Sequence, residues 1–389
     1  MQISGIDFFA GAGGFSLAAR RAGVHIRAAV ELDKHACESY KANLIKRKHN
    51  PAYLFEGDIR KIEWSEFLKK ANLIEGHCDV VVGGPPCQGF SAHRIKGAGI
   101  NDPRNSLLFS YFDCIGVVRP RTFIVENVTG LLWPRHKDYL EKFTKLADEA
   151  GYRLLGPTVL NARDFGAPQN RKRVFIVGVR KDQSLSIEWP PQATHFHPES
   201  DQITGRRKKA WKTASSVFGL PIKPSDPNNC HMQSGEKMIE VFASTPVNGG
   251  SRKDSSRVLP CHGEHNGHKD VYGRIDPSRP GPTMTTACIN PSKGRFLHPT
   301  ENHGISVRHA ARFQCFPEEF LFSGGLIASG IQIGNAVPIP LGEAVLRPVI
   351  RALKAAEKQK AERAAKSKAQ KRPPLHPIGT HANGHAYAG

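Results

Sequence analysis

A thiol, a carboxylate and two guanidinium groups stand at the ends of three apolar runs in this 389-residue chain. Pro85-Pro86-Cys87-Gln88 follows Val80-Val81-Val82, and its prolines fix an extended backbone that excludes a helix at the cysteine. The sulfur is thereby held out at the end of a strand, where a cysteine is a candidate nucleophile. An unperturbed thiol, with a pKa of about 8.5, is only a few per cent thiolate at neutral pH, so Cys87 needs basic neighbours or a positively charged ligand. Glu126-Asn127-Val128 ends the run Phe123-Ile124-Val125, and a carboxyl there faces the same cleft as Cys87. Gln169-Asn170-Arg171-Lys172-Arg173 precedes the run from Val174, and strand alternation sends Gln169, Arg171 and Arg173 to one face. Paired arginines suit phosphate and carbonyl oxygens, although a charged surface strand would read the same way if this segment stood alone. Cys114, Cys288 and Cys315 lack any such context and read as small buried hydrophobes.

A second group of residues suits a nucleoside. Asp7-Phe8-Phe9-Ala10-Gly11-Ala12-Gly13-Gly14-Phe15 carries a strand into a glycine loop and a helix, which lets backbone N–H groups approach a ligand closely. The dinucleotide pattern G-x-G-x-x-G fails, because counting from Gly11 it requires glycine where Ser16 stands, and a pyrophosphate is therefore disfavoured. Glu31 ends the next strand about twenty residues on, where a carboxylate can accept from both ribose hydroxyls. Asp58, in Gly57-Asp58-Ile59, can accept from an adenine amino group. Together they describe a nucleoside cofactor without a pyrophosphate; a glycine turn with surface acids is the competing reading.

Positioning these groups requires strands that all end on one edge. Short β-rich runs (Ile6 to Phe9, Ile26 to Val30, Val80 to Val82, Thr122 to Val125, Val174 to Val179) alternate with amphipathic stretches, so the economical fold is α/β, a doubly wound, mostly parallel sheet. From about Trp189 the texture turns rich in proline, histidine and glycine, and near Ile333 a helical pattern returns. This divides the chain into a catalytic domain of residues 1–188 plus 327–352, a smaller, irregular inserted domain of 189–326 and a basic, disordered tail of 353–389. In that tail Lys354 opens a run that can extend a final helix until Arg372-Pro373-Pro374 stops it.

The hydrophobic content of 39% supports a core, and a formal charge of +20 points to a polyanionic partner. Residues 1–180 carry 27 basic against 18 acidic groups, 181–300 carry 16 against 11, and 351–389 carry 9 against 2. The eight cysteines form no C-x-x-C pair, which argues against a disulfide framework or zinc ribbon. Cys230-His231 and Cys261-His262 with His265 and His268 match no standard finger and read as turn and surface residues; no metal is expected. No stretch approaches the roughly 18 to 20 apolar residues of a membrane span, and Met1 opens onto no basic and apolar leader, so the expectation is a soluble, cytoplasmic protein with no membrane partner.

The order of these motifs resembles the C5-cytosine-specific DNA methyltransferase family of the bacterial modification type. Asp7 to Phe15, Glu31, Asp58, Pro85-Pro86-Cys87-Gln88, Glu126-Asn127-Val128 and Gln169 to Arg173 match in family order. Arg308-His309-Ala310-Ala311-Arg312-Phe313-Gln314 and Gly334-Asn335-Ala336-Val337-Pro338 close the pattern over roughly residues 4 to 350. The resemblance implies an S-adenosylmethionine-dependent fold with a target-recognition insert. It implies transfer of a methyl group to C5 of a flipped cytosine in duplex DNA. Cys87 would add to C6, Glu126 would hold N3 and the exocyclic amine, Arg173 the cytosine O2 and Arg171 a phosphate. Phe9, Gly11, Gly13, Glu31, Asp58, Pro86, Leu107, Asn335 and Val337 would form the cofactor site. Where some relatives place a tryptophan after the ribose-binding acid, this chain has Leu32, which implies weaker adenine stacking on that side.

On the DNA side stand Gln88, Ser91 and Arg94, in a loop from Gly89 to Asn105 that in this family closes over the duplex. Arg252 and Arg274, flanked by glycines, are candidates for the major groove, where arginine pairs with guanine; exposed turns are the other reading. Thr283, Thr285 and Thr286 are expected on the DNA backbone, and Arg308 with Arg312 as organisers of the small domain. A restriction endonuclease acting on the same site is the expected partner. The rivals are a tRNA cytosine-5 methyltransferase, disfavoured because Cys-Phe-Thr is absent, and a basic nucleic-acid binder with a vestigial site. Cys87, Glu126 and both arginines, chemically competent as written, stand against the second.

Overall fold

The computed structural model describes residues 2–46, 51–86, 106–203, 208–256 and 270–370. Seven strands form one sheet: β1 (Ile3–Phe8), β2 (Val24–Glu31), β3 (Tyr53–Glu56), β4 (Val80–Gly83), β5 (Thr122–Val128), β6 (Tyr152–Asn161) and β7 (Lys172–Arg180). Their spatial order is β3-β2-β1-β4-β5-β7-β6, and only β7 runs against its neighbours. The central parallel strand β4 and the first half of β5 are apolar on both faces, as strands covered on two sides must be. Along β4, Val80 and Val82 enter one core while Val81 enters the other.

The first core lies under α1 (Gly14–Ala22), and the second under α3 (Trp64–Ala71), α4 (Ser106–Val118) and α5 (Lys137–Glu149). Between them, α2 (Lys34–Tyr40) is capped by the Asp33 side chain, which accepts from Ala36 N–H at 2.8 Å. The last helix, α10 (Ile339–Gln370), lies on the first core against α1. A Cβ at Gly342 would stand 2.6 Å from that of Ala18, so glycine sets the close approach of the two helices.

Between residues 189 and 326 regular structure is sparse. It consists of the two-residue strands β8 (His195–Phe196) and β9 (Lys209–Ala210), α6 (Ser215–Phe218), α7 (Glu236–Ser244), α8 (Val307–Phe313) and short turns, followed by α9 (Gly325–Asn335). Its apolar residues, among them Met284, Phe296 and Phe313, continue the first core instead of forming one of their own. All of α8 is buried. Arg308 pairs with Asp226 at 2.6 Å and Arg312 with Glu318 at 2.8 Å, and Arg312 also donates to the carbonyls of Val217 and Leu220. Both arginines hold this region together.

The stretch expected to be a disordered tail from residue 353 is helical as far as Gln370, while residues 371–389 lie outside the described residues. Two causes act in succession. Leu353 is buried and Glu357 pairs with Arg121 at 2.9 Å, and beyond them lysine, glutamine and alanine keep the helix through high intrinsic propensity. No helix among the described residues is long and apolar enough to cross a membrane.

Candidate active site

The C-terminal ends of β1, β2, β4 and β5 share one edge because these strands are parallel, and a cleft of about 1020 Å³ opens there. Phe9, directly after β1, has φ +58°, a conformation costly for a side chain that turns the backbone sharply into the glycine loop. Gly11, at φ +56°, borders the cleft, and a Cβ built on it meets nothing within 4 Å. Gly13 differs. It caps α1 at φ +98°, a Cβ there would stand 2.2 Å from Leu44 Cδ1, and it is not among the cleft-lining residues. Packing against Leu44 and Tyr40 and the left-handed φ demand that glycine.

Glu31 ends β2 with its carboxylate fixed by three amides. Oε2 accepts from Gly11 N–H at 2.7 Å, and Oε1 from Leu32 and Asp33 N–H at 2.8 Å. Burial raises its pKa, and the amides oppose the rise. A carboxylate offers about four acceptor sites, so one remains for a ligand hydroxyl. Asp58 borders the same cleft but is engaged by Arg60, whose Nε stands 3.0 Å from Oδ1 and Nη2 2.5 Å from Oδ2; these bonds hold its pKa down at about 2. Pro86, Leu107, Asn335 and Val337 also line the cleft, as does Leu32, which is 69% exposed.

Asp7 was read only as part of the loop motif. It is buried, accepts from the Ser16 hydroxyl at 2.6 Å, and burial raises its pKa to about 7 against that hydrogen bond. Ile331 and Trp133, neither singled out in the sequence, also border the cleft, the latter beneath Arg135 at 4.5 Å. An aromatic residue three positions after Gly130, where β5 gives way to a short turn, was the available signal for Trp133.

The opposite part of the cleft holds the remaining chemistry. Cys87, Gln88, Ser91 and Arg94, with the rest of residues 87–105, lie outside the described residues. Their root does not: Asn127 Nδ2 donates to Pro85 O at 3.4 Å, and a Cβ on Gly84 would lie 3.3 Å from Glu126 Oε2. Glu126 and Arg173 are diagonal neighbours on the antiparallel β5–β7 pair, because Val128 faces Arg173 in the register. Arg173 Nε stands 2.9 Å from Glu126 Oε1, yet its N–H is not aligned as a hydrogen bond, and Oε1 has no aligned donor among the described residues. That oxygen is buried against the Arg173 guanidinium.

Arg171, expected on a phosphate, borders the cleft, but its two terminal nitrogens are committed to backbone carbonyls and only Nε is without a partner among the described residues. It is 1% exposed, with Nη1 donating to Met284 O at 2.7 Å and Nη2 to Gly334 O at 2.7 Å and Ala336 O at 3.1 Å. Gln169 completes the clasp, donating to Phe313 O at 2.6 Å and accepting from Met284 N–H at 3.1 Å. Arg274 is removed from any groove: it is 1% exposed and donates to the carbonyls of Thr245, Phe242, His298 and Glu301 and to Asn302 Oδ1. Arg252 is 8% exposed, and its Nη1 has no hydrogen-bond partner among the described residues. Thr283 and Thr285 do border the cleft.

The donor set fits S-adenosylmethionine. Two carboxylates suit ribose and adenine, apolar residues wall the cleft, and an open loop lies at Gly11. The volume lies at the upper end of the ~300–1000 Å³ typical of small-molecule sites, room for a cofactor and a base together. Among the described residues no three histidine, cysteine or acidic side chains are placed to hold a metal.

A sheet of this order with one reversed strand, a nucleoside cleft at its edge and a carboxylate–guanidinium pair beside a cysteine loop define a methyltransferase that works on a planar base. The model of the C-5 cytosine-specific DNA methylase family matches residues 3–351, and the chain belongs to that family; it is a DNA (cytosine-5-)-methyltransferase. It is 33% identical over 354 residues to the Type II methyltransferase M1.HphI of Haemophilus parahaemolyticus, covering 90% of this chain and 87% of the relative. It is 31% identical over 365 residues to the Type II methyltransferase M.FnuDI of Fusobacterium nucleatum, covering 92% and 97%. Among solved structures, a candidate DNA modification methyltransferase encoded within an E. coli prophage shares the fold, with a TM-score of 0.68, 24% identity and coverage of 90% and 99%.

Proposed function

We propose that the protein methylates C5 of a cytosine extruded from a short duplex DNA sequence, with S-adenosylmethionine as donor and a covalent Cys87 adduct, as the modification enzyme of a Type II system. The observation that carries the reading is the Glu126–Arg173 pair bordering the cleft, next to Pro85 and Pro86, which lead into Cys87. S-adenosylmethionine supplies an electrophilic methyl group on a cationic sulfonium.

Glu31 orients the ribose and Asp58, once released by Arg60, takes the adenine amine. Cys87 as a thiolate forms a bond to C6 of the ring. Glu126 accepts from the exocyclic amine and holds the proton that N3 takes up as C6 is attacked, while Arg173 stabilises charge on O2. The electron pair gained by the ring makes C5 nucleophilic; as C5 takes the methyl group the sulfonium would become a neutral thioether, a solvent base takes the C5 proton as the S–C6 bond breaks and the thiolate returns, and N3 gives its proton back to Glu126. A paired cytosine cannot present both faces, so the base leaves the stack at a cost of a few kcal/mol, offset by these contacts. The Type II relatives support a cognate endonuclease acting on the same site, and the reaction belongs in a bacterial cytoplasm or nucleoid.

The test is transfer of a labelled methyl group to duplex DNA, with tRNA as a parallel substrate. Wild type is expected to label duplex only, and Cys87→Ser nothing. A duplex carrying 5-fluorocytosine is expected to trap a complex through Cys87, since fluorine cannot leave as the C5 proton does. Label on tRNA alone, or an active Cys87→Ser with no trapped complex, would overturn the reading.

A further inference from the structure

The end of α10 points away from the cleft. Val337, just before the helix, lines the cleft, whereas Glu357, eighteen residues after Ile339, pairs with Arg121 at 2.9 Å. Arg121 directly precedes Thr122, the first residue of β5, and is itself 3.1 Å from Asp79, directly before β4. These are the strand ends opposite the cleft. At 1.5 Å per residue the helix has travelled about 27 Å by Glu357, and the stretch to Gln370 carries it roughly 20 Å further in that direction. Pro348 can bend the helix but not reverse it, since Leu353 and Glu357 are docked beyond that point.

Residues 358–367 are all exposed, and they carry Lys358, Lys360, Arg363 and Lys366 against Glu362 alone. At 100° per residue these cations share one arc of about 200° of the helix, and the opposite side holds only the small residues Ala361, Ala364 and Ala365. A membrane-surface helix needs a large apolar face and a helix docked in a protein groove needs bulky anchors, and neither is present. What remains is attraction to a polyanion along the basic face. A duplex lying across the cleft is too far away to supply it.

We propose that this exposed half of α10 holds a second segment of duplex DNA on the face opposite the cleft, so that the enzyme bridges two stretches of its substrate. The proposal rests on the reading of the chain as a DNA methyltransferase, which makes more of the same polyanion the partner at highest local concentration. Contacts of this kind carry no sequence information and weaken steeply with salt. If each of the four cations neutralises one phosphate, raising salt from 50 to 200 mM weakens this contact by up to about 100-fold.

The experiment uses the full chain and a variant in which Lys358, Lys360, Arg363 and Lys366 are changed to Gln, a substitution that keeps helix propensity. A short duplex bearing the methylation site is immobilised and saturated with protein, and capture of a second, labelled duplex without the site is measured. Wild type is expected to capture it at 50 mM salt and lose it at 200 mM, and the variant to capture at least 10-fold less. Both are expected to methylate an isolated short duplex with kcat/KM equal within 2-fold. Equal capture by the variant would overturn the proposal, as would preferential capture of labelled single-stranded RNA. A parallel loss of short-duplex methylation would overturn it too, because the helix would then be serving the cleft. A wild-type chain that captures the second duplex but methylates neither would fail the enzyme reading and not this one.

Discussion

Arg171 tests whether a guanidinium in this motif touches DNA or holds the protein together. Its two terminal nitrogens serve three buried carbonyls, Met284, Gly334 and Ala336, from segments more than 100 residues away in the chain. Replacing it with methionine keeps much of the volume and strands Met284 O and Gly334 O, while Ala336 O keeps a hydrogen bond from Gln314 Nε2 at 3.0 Å. Each unsatisfied buried polar group costs about 1–3 kcal/mol, while removing a buried charge returns part of its desolvation cost, so the net loss is expected at roughly 3–5 kcal/mol. That is a large fraction of the 5–15 kcal/mol that typically holds a domain folded. Urea denaturation should show a lower midpoint for Arg171→Met and an intermediate one for Arg171→Lys, which can serve some of the carbonyls. Cofactor affinity should fall with it, because Asn335 and Val337 sit on the turn that Arg171 anchors. DNA binding in the presence of cofactor should keep the wild-type salt slope. A phosphate contact predicts the reverse: unchanged stability and a slope shallower by about 0.9. That result would refute the clasp.

Three further outcomes follow from the same geometry. Glu126→Gln and Arg173→Ala should each lower the single-turnover methylation rate by about 10²- to 10⁴-fold at saturating cofactor and DNA, the range for losing a group that moves or stabilises charge at the reacting centre; rates within 3-fold of wild type would remove the pair from the chemistry. Gly13→Ala should destabilise by roughly 1–3 kcal/mol in urea denaturation, because the new methyl meets Leu44 and the residue must hold φ +98°, and Leu44→Ala should restore only the packing part. Stability against pH carries opposing contributions. Asp7, raised to about 7, contributes stability present at low pH and lost as pH rises through 7. His298 and His309, lowered by burial to about 4 and about 3, contribute stability present above their unfolded pKa and lost as pH falls. Asp7→Asn should therefore steepen the loss of stability from pH 7 to 4, and an unchanged profile by thermal denaturation would contradict the raised pKa.

The strand ends were legible in the sequence and the partners of buried charges were not. Val80 to Val82 and Phe123 to Val125 announce parallel strands by being apolar throughout, and that fixes Glu126 and the Pro85-Pro86 segment at one edge. Glu31 follows from the same logic. Nothing near Arg171 or Arg274 in the chain tells whether a guanidinium faces a phosphate or a ring of backbone carbonyls, because Met284, Gly334 and Glu301 are brought there only by the tertiary fold. Gly11 and Gly13 look alike in sequence; Leu44 and Tyr40, some thirty residues on, separate them. The Lys354 run lacks core residues, which reads as disorder in the sequence, whereas helix propensity and the Glu357–Arg121 pair decide its structure.

This changes what the +20 charge means. A formal sum counts Arg171, Arg274, Arg308 and Arg312 as surface attractors, yet all four are buried, and Arg308 and Arg312 are neutralised by Asp226 and Glu318. Arg252 and Arg274 belong to the excess of the 181–300 segment, so the field that this segment projects on DNA is smaller than its composition suggests. The exposed cations of α10, by contrast, count in full but stand at the wrong end of the sheet to help the cleft. Charge that steers a duplex into the cleft must therefore come from the exposed basic residues that remain around it. Mutating the buried arginines should change stability far more than the salt dependence of DNA binding.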